Sequence, residues 1–277
     1  MTTPTDNRVM LPVMRTIANS YREVFRHGGV YTAVAVVWAA VVVALDLVFW
    51  PLLEASSADV WSIVALHSWL YPPNIAFEAA AAMVVVPVYR SAILLEAPAY
   101  RMAFRISARE LRVFGLFLLV YAASRLEYEI VTILLQQIGI PFGLFAAFDA
   151  GVWMNIVRRV IRSLIVCFTV IPFVGLALPL AAIDARPGLI RRSIAWSRGN
   201  LWRIGAIVFL SALPLQIIAT ASQYAWPAIA GVPTPNLHFA AYNVIYIWAV
   251  AVRGAALGSA CRMIADRQGE RVYEAFD

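Results

Sequence analysis

Over residues 30–51 the chain runs for 22 positions with one charged side chain, Asp46. A helix needs about 20 predominantly apolar residues to cross the hydrocarbon core of a bilayer, so this run demands either a membrane or a very large apolar interior. Five further runs meet the same test, at residues 75–95, 113–136, 158–183, 204–225 and 239–263. With 62% hydrophobic and 14% charged residues, a chain of 277 lacks the polar surface to clothe a water-soluble globule. The sequence predicts an all-α, polytopic membrane protein with six transmembrane helices. The first run is of full membrane length and is not followed by a small-residue cleavage site, so it is expected to remain as an anchor.

Every basic side chain is arginine, and the arginines cluster between the runs. Arg8, Arg15, Arg22 and Arg26 precede the first, and Arg101, Arg105, Arg109 and Arg112 lie between the second and third. Arg186, Arg191, Arg192, Arg198 and Arg203 lie between the fourth and fifth, with Arg267 and Arg271 in the tail. The alternate segments, 52–74, 137–155 and 226–238, contain none. The positive-inside rule then places both termini in the cytoplasm. Charge scattered in short membrane-flanking clusters argues against nucleic acid as a partner and points to anionic phospholipids.

The arginine clusters belong to a repeated phrase. With Ser20, Ser107 and Ser197 aligned, a glycine follows eight residues later in each copy, at Gly28, Gly115 and Gly205, and the fourth position is apolar (Val24, Leu111, Leu201). Pro12, Pro98 and Pro187 stand ahead of the three, where proline suits the opening of a helix. The spacing predicts three units, 9–95, 96–183 and 184–266, with a short tail at 267–277, all in a single membrane domain. Each unit would be an amphipathic interfacial helix, an elbow at the serine and glycine, and a transmembrane hairpin. Arg101, Arg105, Arg109 and Arg112 recur at helical spacing, as do Arg15, Arg22 and Arg26, while Val13, Ile17, Tyr21, Val24 and Phe25 line another face. In the third copy Ile190, Ile194 and Leu201 oppose Arg191 and Arg198, with Arg192 and Arg203 in the same cluster. Such helices set guanidinium groups among lipid phosphates and apolar side chains in the acyl region. Ser20 with Glu23 and Ser107 with Glu110 fit the capping box that starts a new helix; in the third copy Asn200 replaces the glutamate and Gly199 offers a helix end. The alternative is one continuous helix through each phrase, its serine facing water.

Residues 179–215, PLAAIDARPGLIRRSIAWSRGNLWRIGAIVFLSALPL, resemble the signature segment of the membrane domain of bacterial glycerophosphoryl diester phosphodiesterases and related six-pass inner-membrane proteins. The resemblance implies a bacterial inner-membrane module connected with lipids. Family members that hydrolyse diesters do so with a separate soluble barrel, and no stretch here is long or polar enough to be one. No metalloprotease, serine-nucleophile, phosphate-loop or dinucleotide motif is present, and Cys167 and Cys261 read as small apolar core residues. The expectation is a protein that is not an enzyme, without cofactor or metal.

Charge inside the runs is the remaining chemical signal, because an arginine or aspartate at a membrane helix centre costs about 2.5 to 3.5 kcal/mol on insertion scales. At ~1.5 Å per residue, Asp46, Glu78, Glu127, Glu129, Arg158, Arg159 and Arg162 are expected in the outer half, with Arg125 and Arg253 nearer the middle. Two readings stand: structural ion pairs with Arg158 and Arg159 snorkelling outward, or a hydrated vestibule that binds an anionic headgroup through Arg125, Arg162 and Arg253. The sequence is read as a lipid-interacting or scaffolding module whose arginines engage anionic lipid, with a membrane-protein partner or a second copy. The alternative is a small transporter or channel-like protein with a charged outward cavity.

Overall fold

The computed structural model describes residues 11–54, 72–98, 107–137, 152–183, 188–230 and 235–267. Among these residues there is no strand, and ten helices follow in order: α1 (Val13–Arg26), α2 (Gly28–Glu54), α3 (Pro72–Leu94), α4 (Ala108–Gln137), α5 (Val152–Thr169), α6 (Ile171–Val174), α7 (Ala177–Ala182), α8 (Leu189–Ser197), α9 (Leu201–Ala230) and α10 (Pro235–Arg267). Three stretches are long and apolar enough to cross a membrane: Gly28–Phe49, Leu201–Ser222 and Ala240–Asp266. A fourth arises if the bent pair Arg159–Thr169 and Ile171–Ala182 counts as one span. α3 and α4 cover the second and third apolar runs but carry Glu78 and Arg90 in the one and Arg109, Glu110, Arg112, Arg125, Glu127 and Glu129 in the other.

The fourth run corrects the expectation of a single helix over residues 158–183. The chain bends by 43° after Thr169 and continues as two short pieces. Pro172 lies at the start of α6 and Pro179 within α7; each lacks an N–H, and each ring crowds the preceding turn. Thr169 adds to the break by turning its hydroxyl back to the Ile165 carbonyl at 2.7 Å.

α10 is the central element, packed on α9, α3, α2 and α1. Its approach to α3 depends on Gly254 and Gly258, one turn apart. A Cβ added to the first would stand 2.6 Å from Val85 Cγ2, and one added to the second 2.9 Å from Ala92 Cβ. Small residues at this spacing let two membrane helices close to dispersion contact. One apolar cluster, including Leu11, Ile93, Val113, Ile183, Trp196, Ile204 and Ile264, ties α3, α4, α7, α8, α9 and α10 together. A second joins Val24 of α1 and Tyr31, Val34 and Ala35 of α2 to Ile247, Ala251 and Ala255.

Candidate functional site

α1 packs along α9 and α10, from Asn200 at its start through Ser211 to Trp248 at its end, and α8 packs on α6 and α7. The Leu11 backbone is clamped just ahead of α1. Its N–H donates to Asn200 Oδ1 at 3.2 Å, and its carbonyl accepts from Arg203 at 3.3 Å. Glu23 of α1 accepts from Ser91 Oγ of α3 at 2.5 Å and lies 3.6 Å from His27 Nε2. Tyr21 donates to the Ser211 carbonyl of α9 at 2.8 Å, and burial raises its pKa above the ordinary phenol value.

The three serines do three different things. In the first copy Ser20 is buried within α1 and its hydroxyl bonds the Ile17 carbonyl at 2.7 Å, so the helix runs on. The break falls seven residues later, at His27, where the backbone leaves helical geometry and two glycines follow. Glu23, freed from capping, reaches another helix. In the second copy the capping box forms: Ser107 N–H donates to Glu110 Oε2 at 3.0 Å, the Ser107 hydroxyl bonds the same carboxylate, and Arg109 N–H donates to Ser107 Oγ at 3.3 Å. In the third, Ser197 ends α8 with its hydroxyl on the Ser193 carbonyl at 2.8 Å. Gly199 then takes a left-handed φ of 84°, which a residue with a Cβ adopts only with strain.

The glycines divide in the same way. A Cβ on Gly205 would meet the Cys167 carbonyl oxygen at 2.5 Å, and one on Gly28 the far edge of the Trp248 ring at 3.0 Å, whereas one on Gly115 meets nothing within 4 Å. Only the first is a close backbone approach, between α9 and α5.

The apolar stripe of α1 also departs from expectation. Ile17 and Val24 are buried, and Val13 and Tyr21 are packed against the two clusters, so that face is covered by protein rather than left to acyl chains. Phe25 stays exposed while stacking on Tyr21, ring centres 6.1 Å apart, and meeting Trp248 at a 41° tilt, ring centres 5.3 Å apart. In α8 the buried face is Ser193, Trp196 and Ser197, and Ile190 and Ile194 are exposed beside Arg191.

Arg15, Arg22, Arg26, Arg112, Arg191 and Arg198 are exposed, and Arg109, Arg192 and Arg203 half-buried. Arg192 lies 5.1 Å over the Trp196 ring and Arg203 5.1 Å over that of Trp202. Arg101 and Arg105 lie outside the described residues. The described carboxylates at this end are all engaged within the protein: Glu23 by Ser91, Glu96 by a two-pronged bond from Arg90 at 2.7 and 2.5 Å, Glu110 by Ser107, and Asp266 by Arg262 at 3.6 Å. Between the arginines stand exposed Met14, Phe25, Leu111, Ile190, Ile194 and Trp202. Alternating guanidinium and large apolar groups suit the headgroup zone.

Of the intramembrane charges, Arg159 and Arg253 are defined in most detail. Arg159 donates to the Tyr242 hydroxyl at 2.7 Å with its guanidinium 5.0 Å over that ring. Arg253 keeps a buried Nε with no hydrogen-bond partner. Glu78 lies on α3, half-buried and engaged. Asp46 lies on α2, Arg125, Glu127 and Glu129 on α4, and Arg158 and Arg162 on α5, with side chains outside the described ones. Sequence reasoning missed Ser91, the Arg90–Glu96 pair and Asn243, which is buried with its Nδ2 unpartnered. A lone asparagine inside an apolar run was the available signal. No family model, curated protein or solved structure matches the chain.

Proposed function

We propose that the chain is a six-pass, non-catalytic module of the bacterial inner membrane, of the kind its 179–215 segment resembles, which binds anionic phospholipid through its arginine-bearing, cytoplasmic end. The three apolar spans, the bent pair and the helices α3 and α4 supply the six passes. The observation that carries the reading is the chemistry of that end: its described carboxylates are engaged internally, while Arg15, Arg22, Arg26, Arg191 and Arg198 project outward among exposed apolar side chains. Such a surface offers anions many donors and offers acyl chains apolar side chains beside them.

The test is thermal unfolding of the protein in nanodiscs of phosphatidylcholine with increasing phosphatidylglycerol. The midpoint rises with the anionic fraction, and the rise shrinks with salt. Replacing Arg15, Arg22, Arg26, Arg191 and Arg198 by glutamine removes most of it. A wild-type midpoint indifferent to lipid charge overturns the reading, and solute flux in proteoliposomes replaces it with a transporter.

A further inference from the structure

We infer that α1 and α8 are wedges that set a shallow apolar strip between the lipids of one leaflet, so that the arginine-bearing end selects an anionic monolayer packed loosely enough to admit them. This rests on the membrane-module reading and names the lipid surface that such an end recognises. Each helix has three sectors, where an ordinary amphipathic helix has two. At about 100° per residue, Met14, Ala18 and Phe25 fall within about 40° of one another on α1. All three are exposed, Met14 by 72% and Phe25 by 60%. Arg15, Arg22 and Arg26 form a second exposed sector centred about 80° further round. The far side is held by protein, with Thr16, Ile17, Ser20 and Val24 buried. This strip shares only Phe25 with the stripe that the spacing predicts. α8 repeats the arrangement in the same rotational sense: exposed Ile190 and Ile194, then exposed Arg191 about 80° from their centre, with Ser193, Trp196 and Ser197 buried.

Chain connectivity names the occupant. α1 runs through His27 into the apolar stretch Gly28–Phe49, and α8 is followed after three residues by Leu201–Ser222. Each helix therefore ends where a membrane-length apolar stretch begins. The angle between the sectors then fixes how the helix lies. With the apolar strip turned toward the hydrocarbon, protein stands at one flank and the arginines at the other, level with the helix axis and so among the phosphates. A helix that met water across its whole free surface would gain nothing from setting Met14 and Phe25 there, or Ile190 and Ile194. Packing of α1 on α9 and α10, and of α8 on α6 and α7, keeps either helix from sinking or tilting to avoid the headgroups. The strips must therefore enter between lipids, and insertion of that kind depends on how the monolayer is packed and composed. Gaps are commoner where both chains of each lipid are unsaturated.

The test uses the full chain in nanodiscs of phosphatidylcholine and phosphatidylglycerol at one fixed ratio, with either palmitoyl-oleoyl or dioleoyl chains, which give bilayers of nearly equal thickness. Nitroxides are placed by single cysteine substitution of Met14, Ala18, Ile190 or Ile194, and of Arg15, Arg22 or Arg191; the native Cys167 and Cys261 are buried. Collision with oxygen against a nickel chelate is expected to put the first four about 5 to 10 Å below the headgroup boundary and the other three at or above the phosphates. The wild-type thermal midpoint is higher in the dioleoyl discs. Met14→Gln, Ile190→Gln and Ile194→Gln together abolish that difference while keeping the rise with anionic fraction; Phe25, which also meets Trp248, is left in place. The five arginine-to-glutamine replacements described above do the reverse. Strip labels that stay open to the nickel chelate overturn the inference and leave the strips free for a soluble protein. So do wild-type midpoints equal in the two lipids, or a difference that survives the three glutamines. In each of these cases a midpoint that still rises with anionic fraction leaves the module reading standing; indifference of wild type to lipid charge removes both.

Discussion

Alanine at Gly205 and at Gly115, equivalent positions in the repeated phrase, is expected to shift stability in opposite directions. The Gly205 Cβ would sit 2.5 Å from the Cys167 carbonyl oxygen and 3.0 Å from Phe168 Cδ1. The phenylalanine ring can rotate, but a backbone oxygen cannot, so α9 and α5 must part by about 0.9 Å to reach the 3.4 Å at which ordinary contact begins. A gap of that size forfeits a quarter to a half of the dispersion energy of the atoms facing it, and overpacking of this kind costs about 1 to 3 kcal/mol. Alanine regains about 0.5 to 1 kcal/mol over glycine inside a helix, which leaves a net loss of about 0 to 2.5 kcal/mol at Gly205, centred near 1. Gly115 has nothing within 4 Å, so only the gain applies there. Gly28 faces the movable edge of Trp248 and falls between them. Equilibrium unfolding of the three variants in bicelles measures the order directly. Equal shifts at Gly205 and Gly115 would refute the claim that these two matching glycines of the phrase meet different surroundings.

Asn200→Ala leaves the buried Leu11 N–H without its acceptor and is expected to cost about 1 to 3 kcal/mol, read as a lower unfolding midpoint with faster proteolysis ahead of α1. Glu110→Ala opens the capping box of α4 at a cost of about 1 kcal/mol, whereas Ser20→Ala, which removes only a bond within its own helix, stays within about 0.5 kcal/mol; chemical denaturation of the pair separates them. Tyr21→Phe deletes the hydroxyl that holds α1 to the Ser211 carbonyl and is expected to cost about 1 kcal/mol, with increased hydrogen exchange confined to α1.

The apolar runs were readable because membrane length and period act on the chain locally: α2, α9 and α10 begin and end within a few residues of positions 30–51, 204–225 and 239–263, apart from extensions at the two long hairpin ends. The break at Thr169 was also written locally, in Pro172 and Pro179, two of four prolines at which the runs could kink; the other two, Pro87 and Pro214, lie within the unbroken α3 and α9, because prolines inside membrane helices are often tolerated. What could not be read was which partner each repeated residue would meet. Glu23 has the same spacing from Ser20 as Glu110 has from Ser107, but Ser91 stands 68 residues away and outcompetes a local backbone donor only because α3 lies beside α1. Arg253 was legible as a costly charge, whereas its unpaired Nε depends on what the neighbouring helices bring to it.

The uneven burial of the spans shows where a bilayer must complete the fold. Of the apolar stretch in α10 67% is buried by protein, in α9 50%, and in α2 only 24%. α2 keeps Tyr31, Val34, Ala35, Ala39 and Val42 against its neighbours and turns Val36, Val37, Val41, Leu47 and Val48 outward. In water that outward ridge would be a contiguous apolar patch of the kind that drives aggregation; in hydrocarbon it costs nothing, because lipid tails are as apolar as the side chains. The hydrophobic effect therefore inserts α2 but gives it little reason to pack. Its place in the bundle has to come from contacts that lipid cannot imitate: the approach of Gly28 to Trp248, and, through the adjoining α1, the Glu23–Ser91 bond and the Phe25–Trp248 ring pair. Loss of those contacts should free α2 from α10 while leaving both in the membrane, so Ser91→Ala combined with Trp248→Leu is expected to broaden spin-label distances between α2 and α10 without lowering helix content. A narrow, unchanged distance in that double variant would mean that the apolar face alone positions α2, and that the hinge contacts follow from the packing instead of setting it.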